Sequence, residues 1–138
     1  MSAERALPPL PVPGPDNAEF WEGCRRHELR IQRCLRCGET RFYPRPACPG
    51  CASLEVEWIR CSGRGRVYSW TIVHPPTLEA FAPLVPYAVG LVELDEKVLM
   101  VGQIRGVPPD EIRAGMRVRV EFDDVTDEIS LPHWRAGG

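Results

Sequence analysis

A chain of 138 residues with 43% apolar and 26% charged side chains carries enough apolar material for one modest core and too little for two generous ones. Its formal net charge of −2 provides no global field to hold nucleic acid or an anionic membrane. The charge is uneven: arginines crowd between Arg25 and Arg45, and acids dominate the second half.

The opening "MSAERALPPLPVPGP" holds an acid and five prolines where a secretory signal would hold an apolar run. It predicts an extended arm over 1–15. The longest uncharged apolar-rich stretch, 80–92, is too short to cross a bilayer and is broken by prolines. A cytoplasmic protein with no membrane partner is expected. In such a reducing compartment, paired cysteines point to a metal rather than to disulfides.

A helical segment is predicted over 16–32. Asp16 stands three residues before Glu19, the spacing of a capping box, and the helix runs through "NAEFWEGCRRHEL". Phe20, Trp21 and Cys24 form an apolar face that must meet either this domain or a partner. Cys24 stands alone and reads as a packing residue rather than a reactive thiol. "LRIQR", "RFY" and "LEVEWIR" alternate as short strands around the cysteines. "SGRGR" (62–66) reads as a turn. Strands follow at 66–74, 87–94, 98–104 and 117–122, with a hairpin-length loop at Asp95-Glu96-Lys97 that lacks the favoured glycine. "PPDEIRAG" (108–115) reads as one helical turn or a tight loop. The fold class is therefore mainly β: an N-terminal helix, a four-cysteine ribbon over 33–60, an OB-type five-stranded barrel over 61–134, and a tail at 135–138. An open sandwich is the alternative to the barrel.

The segment "HPPTLEAFAPLVP" (74–86) is longer than a strand connection needs. Leu78, Phe81 and Leu84 either plug one end of the barrel or form a docking surface together with Phe20 and Trp21. Arg45 in the ribbon and His74 at the end of a strand are the candidate ligand-binding residues. For His74, a capping hydrogen bond is the competing role.

Cys34 and Cys37 form one C-x-x-C, and Cys48 and Cys51 form a second after ten intervening residues. Each pair brings two thiolates to one ion from a tight turn, and two such knuckles complete a tetrahedral site. Zinc is expected, with rubredoxin-type iron the alternative for the same geometry. Four thiolates leave no position for water, so the ion is structural rather than catalytic. Cys61 lies outside the knuckles and reads as packing. No G-x-S-x-G elbow or phosphate loop is present, and the acids at Glu93, Asp95 and Glu96 and at Asp123, Asp124, Asp127 and Glu128 read as solvated turns. No catalytic residue is assigned.

The ordered series "FWEGCRRHELRIQRC", "FYPRPACPGC", "SGRGRVYSWTIVH", "PYAVGLVELDE" and "GMRVRVEF" resembles the rubredoxin-like zinc-ribbon plus OB-fold proteins associated with acyl-CoA metabolism, formerly a domain of unknown function. The resemblance spans about 17–134. It implies a non-catalytic accessory subunit of a thiolase-fold enzyme, either a thiolase or a retro-aldolase of sterol side-chain degradation. It also implies a MaoC-type hydratase as a further partner, and acyl-CoA met through the complex. Only Cys34, Cys37, Cys48 and Cys51 carry over as functional residues. Two alternatives remain: a single-stranded nucleic-acid binder, suggested by the Arg25–Arg45 charge with Phe42 and Tyr43, and a direct acyl-CoA binder.

Overall fold

Phe20 and Cys24 lie one helical turn apart and both are buried, at 4% and 0% exposure. They set the inner face of α1 (Ala18–Arg25), which carries Glu19 in its first turn and Arg25 in its last, as the helix dipole favours. The computed structural model describes residues 8–137. Of the proline-rich arm, residues 1–7 lie outside the described residues, as does Gly138 of the tail; residues 8–14 have no regular secondary structure. The expected capping box is not made. Asn17 is the N-cap, and its Oδ1 accepts the Gly14 N–H at 2.7 Å. The helix also ends at Arg25, short of the predicted Leu29. His27 adopts a left-handed conformation (φ 58°), stacks on Phe122 with centroids 5.2 Å apart, and places Nε2 2.7 Å from Asp124 Oδ1. That anchor turns the chain, so Leu29 enters the core as part of the ribbon.

The ribbon is a three-stranded antiparallel sheet of β1 (Arg30–Cys34), β2 (Thr40–Arg41) and β3 (Val56–Arg60), ordered β2-β1-β3. The barrel consists of β4 (Arg64–Val73), β5 (Tyr87–Leu94), β6 (Leu99–Arg105), β7 (Arg117–Asp124) and β8 (Ser130–Ala136). It closes in the order β4-β5-β6-β8-β7, which rules out the open sandwich. The closing contact is short, since β4 pairs with β7 only over Arg64–Arg66. Val67, Val92, Leu94, Met100, Ile104, Val118 and Trp134 fill the interior, and the same cluster continues through Leu29, Ile31, Phe20, Cys24 and Cys61. Helix, ribbon and barrel therefore share one core. Burial pushes the Cys24 and Cys61 thiols up to about 12, which fits packing residues rather than nucleophiles. Among the described residues, no helix is long and apolar enough to cross a membrane.

Three sequence expectations need correction. Gly65 is not in a turn but in β4, where a Cβ would lie 2.5 Å from the Glu93 carbonyl oxygen of β5. The glycine is there because two backbones meet. Gly65→Ala is expected to lower stability by about 1–3 kcal/mol in denaturant melts, since β5 itself would have to move. Second, the fifth strand, β8, escaped the pattern because of Pro132. That proline precedes the β6 contacts, which begin at Trp134, so its missing N–H leaves no β6 partner unpaired. Third, Leu78 and Leu84 do not plug the barrel. They stand 51% and 48% exposed around a 3-10 helix at Glu79–Leu84, while Ile112, beside the 3-10 turn Pro109–Glu111, enters the core.

Candidate metal centre and adjoining cleft

Cys34 closes β1, and its C=O accepts the Gly38 N–H at 2.9 Å while its N–H donates to the Glu39 C=O at 2.8 Å. The second knuckle repeats this arrangement. The Ala52 N–H donates to the Cys48 C=O at 2.8 Å, and the Cys48 N–H donates to the Ser53 C=O at 2.9 Å. The fourth residue after each leading cysteine is left-handed: Gly38 at φ 79° and Ala52 at φ 63°. Glycine takes that conformation freely, whereas an L-residue is held there at a cost of about 1–2 kcal/mol. Ala52→Gly is therefore expected to stabilise the second knuckle by about 1 kcal/mol. A slower zinc transfer to a competing chelator would report it.

The four sulfur atoms lie within 4.8 Å of one another, with Cys34 Sγ to Cys51 Sγ and Cys37 Sγ to Cys48 Sγ each 3.6 Å. Sulfurs bonded at about 2.3 Å to one tetrahedral ion stand about 3.8 Å apart, whereas a disulfide would bring them to about 2 Å. The cluster is a metal site, and all four thiols are free of disulfides. Backbone donors prepare it. The Cys37 N–H, 3.5 Å from Cys34 Sγ, is the main cause that holds the Cys34 thiol down at about 6, and the Cys51 and Gly50 N–H groups likewise lower Cys48. Two of the thiols thus favour the charged form that the ion needs. Cys37 is pushed up to about 12 and Cys51 is raised too, by burial and the neighbouring sulfurs, so protons compete with the ion for the cluster as pH falls. Metal release to a colorimetric chelator is expected to rise as pH falls, because protons displace the ion from its thiolates.

Behind the knuckles, buried Gln32 fixes the intervening loop. Its Oε1 accepts from Arg41 Nε at 2.7 Å and from the Arg45 N–H at 2.9 Å, and Arg41 Nη2 donates to the Arg45 C=O at 3.0 Å. Sequence reasoning missed this brace, which an Arg–Gln pair on neighbouring strands does not advertise. Arg45 is held through its backbone, and its side chain is exposed.

The profile of the ChsH2 rubredoxin-like zinc ribbon domain matches residues 21–57, and that of the ChsH2 C-terminal OB-fold domain matches 58–123. The chain belongs to the ChsH2-type zinc-ribbon and OB-fold family. It is 41% identical over 119 residues to the 3-oxo-4,17-pregnadiene-20-carboxyl-CoA hydratase alpha subunit of Mycobacterium tuberculosis, covering 86% of this chain and 37% of that protein. The chain thus spans just over a third of that relative's length. It is 36% identical to a DUF35 domain-containing scaffold protein of Methanothermobacter thermautotrophicus, over 75% of this chain and 77% of that one. The benzoylsuccinyl-CoA thiolase subunit BbsA of Thauera aromatica is 30% identical over 68% of this chain and 63% of its own length. Among solved structures, the Ltp2-ChsH2(DUF35) aldolase contains a chain that superposes with a TM-score of 0.83 at 37% identity, covering 91% of this chain and 98% of that one.

In this ChsH2-type fold the remaining candidate residues do not form one site. Phe20 was expected on a partner-facing surface, but it is buried against Phe42, with centroids 5.1 Å apart. Trp21 is half-buried, Phe81 packs on Tyr87 with centroids 6.1 Å apart, and His74 is exposed at the end of β4. Trp21 instead lines a cleft of about 440 Å³ where α1 and the ribbon cross the outer face of the barrel. Phe42, Tyr43, Val101 and Leu131 share its apolar wall. Its polar end holds Arg105, which donates to Asp123 Oδ2 at 2.8 Å, and the buried His133, whose Nε2 is 3.3 Å from Glu121 Oε2. Burial, and secondly the Arg105 charge, pushes His133 below its ordinary value and keeps the imidazole neutral. The cleft was illegible in sequence because its polar residues come from three strands whose pairing the sequence does not state.

Proposed function

We propose that this chain is a non-catalytic accessory subunit that docks on a thiolase-fold enzyme acting on acyl-CoA thioesters and raises its activity. The likeness of nearly the whole chain to a component of an aldolase complex carries this reading. The relatives named as a scaffold and as a thiolase subunit support it. A MaoC-type hydratase is a further partner on this reading, since the hydratase-named relative extends well beyond the region shared with this chain. Steroid side-chain degradation is the process that the same relative's pregnadiene name favours.

The chemistry of the chain agrees. Its metal has four thiolate ligands and no place for substrate, and among the described residues no nucleophile–base pair converges in the cleft. Nucleic acid is not favoured. Arg25 and Arg26 are tied to Glu22, Arg30 to Glu19 and Glu28, and Arg33 to Glu57, so most of the basic stretch is already neutralised. Co-expression with thiolase-fold subunits encoded nearby tests the proposal. A stable complex whose carbon–carbon cleavage is about tenfold faster or more than the enzyme alone is expected, each factor of ten corresponding to about 1.4 kcal/mol off the activation barrier. If no subunit co-purifies, or if activity is unchanged on binding, the proposal fails. Calorimetry of the isolated chain with an acyl-CoA separates direct ligand binding from action through a partner.

A further inference from the structure

We infer that the unpaired edge of β4 receives an extended strand of the partner subunit, with apolar residues first and carboxylates at its end. The inference rests on the accessory-subunit reading and adds where and how the partner is held. After Arg66, β4 loses β7. Val67 is paired with the Gly115–Met116 turn, and among the described residues no backbone group from Tyr68 to Val73 is paired on that side. The other edge of the segment is fully engaged with β5, from Ser69 opposite Leu91 to Val73 opposite Tyr87.

The segment "YSWTIV" (68–73) is uncharged, free of proline and glycine, and made largely of aromatic and β-branched residues. Such a window on an open edge invites uncontrolled strand pairing, and proteins normally blunt it with charge or proline. Here Tyr68, Ser69, Trp70 and Thr71 are all exposed, with Tyr68 at 61%. Unpaired main-chain donors and acceptors in a row are satisfied in register only by another extended main chain.

The two ends of the edge specify its occupant. At the Val73 end lies the 74–86 loop with exposed Leu78 and Leu84. At the other end Arg66 stands directly opposite Arg117, and Arg113 is exposed just before it. Like charges placed opposite each other across strands are destabilising. Glu93 faces Arg66 from the β5 side, but neither Arg66 nor Arg117 makes an ion pair among the described residues, whereas neighbouring Arg119 and Arg135 share Glu121. An antiparallel guest strand begins beside Leu78 and Leu84 and ends beside the arginines, so its leading residues should be apolar and its last ones acidic. A second copy of this chain fits poorly. Antiparallel pairing of two β4 edges would lay each apolar 74–86 loop against the other copy's Arg66 and Arg117.

Hydrogen exchange on the full chain tests this with two short synthetic peptides that alternate valine and threonine, one ending and one beginning in aspartates. The expected result is that amides of 68–73 exchange about tenfold slower with the acid-last peptide and change less with the acid-first one. Arg66→Glu combined with Arg117→Glu should reverse the preference toward a peptide ending in lysines, with the metal content unchanged. No protection by either peptide at millimolar concentration overturns the strand site, and stronger protection by the acid-first peptide overturns the assigned direction. A dimer in sedimentation that dissociates on Thr71→Lys overturns the choice of a partner over a second copy. If a thiolase-fold subunit binds without protecting 68–73, the strand inference falls while the accessory reading stands. If the peptides bind but no thiolase-fold subunit does, the accessory reading falls and the strand site stands.

Discussion

Cys48→Ser is expected to strip the metal from the chain and unfold the ribbon. Cys48 is 3% exposed, and its sulfur sits 3.6 Å from that of Cys37. A serine hydroxyl there stays protonated and offers neither the charge nor the softness of a thiolate. Without the ion the ribbon keeps a two-residue β2, the Gln32 brace, and the packing of Phe42 on Phe20 and of Leu29 and Ile31 on the barrel core. A four-thiolate zinc site contributes about 10–16 kcal/mol of apparent free energy, as much as the whole net stability of a typical domain. Elemental analysis should show the loss of the bound ion, and amides of β1–β3 should lose their protection from exchange. The barrel should remain folded at a lower melting temperature, because Leu29 and Ile31 link its core to the ribbon. A variant that kept its metal and its ribbon protection would show that three thiolates suffice and that the fourth is replaceable.

Chelation of the wild-type chain should reproduce the same loss in a reversible form. Partner binding should weaken along with it if the cleft is part of the contact. Phe42 and Tyr43 line that cleft from the ribbon, and Trp21 faces them from α1. On that reading the metal would act on partner binding at a distance, by holding one wall of a cleft whose other wall is the barrel.

The metal site was legible because its signal is local. Two C-x-x-C turns bring four ligands together whatever the rest of the chain does. The strands at 66–74, 87–94, 98–104 and 117–122 were legible for a similar reason, since alternation along one segment reports one buried face. What depended on neighbours was not legible. The Phe20–Cys24 stripe showed that α1 buries a face, but not that its own barrel and ribbon receive it. Pro132 hid β8, because its tolerance depends on where β6 pairing begins. Gly65 looked like a turn glycine because the sequence does not show that Glu93 passes 2.5 Å from where its Cβ would be. The open edge of β4 depends on β7 pairing no further than Arg66, and the resemblance to a family did not reveal it either.

Trp134→Ala is expected to be the most damaging single change in the barrel, and to leave the metal in place. Trp134 is 1% exposed, faces Val120 on β7 and Ile104 on β6, and so sits where β8 joins the two sides of the barrel. Gly102 accommodates it, since a Cβ there would lie 2.8 Å from the indole. Removing a buried tryptophan costs about 3–5 kcal/mol through lost transfer energy and an unfilled cavity, a lowering of the melting temperature by about 10–20 °C for a domain of this size. Leu131 and His133, which form the barrel wall of the cleft, lie on the same strand. Loosening β8 should therefore weaken partner binding even where the variant is still folded. Calorimetric melts, metal analysis and the partner-binding assay separate the outcomes. A lower melting temperature with full metal content and weaker binding is expected, and unchanged binding by a variant with a loosened β8 would remove that wall of the cleft from the partner contact.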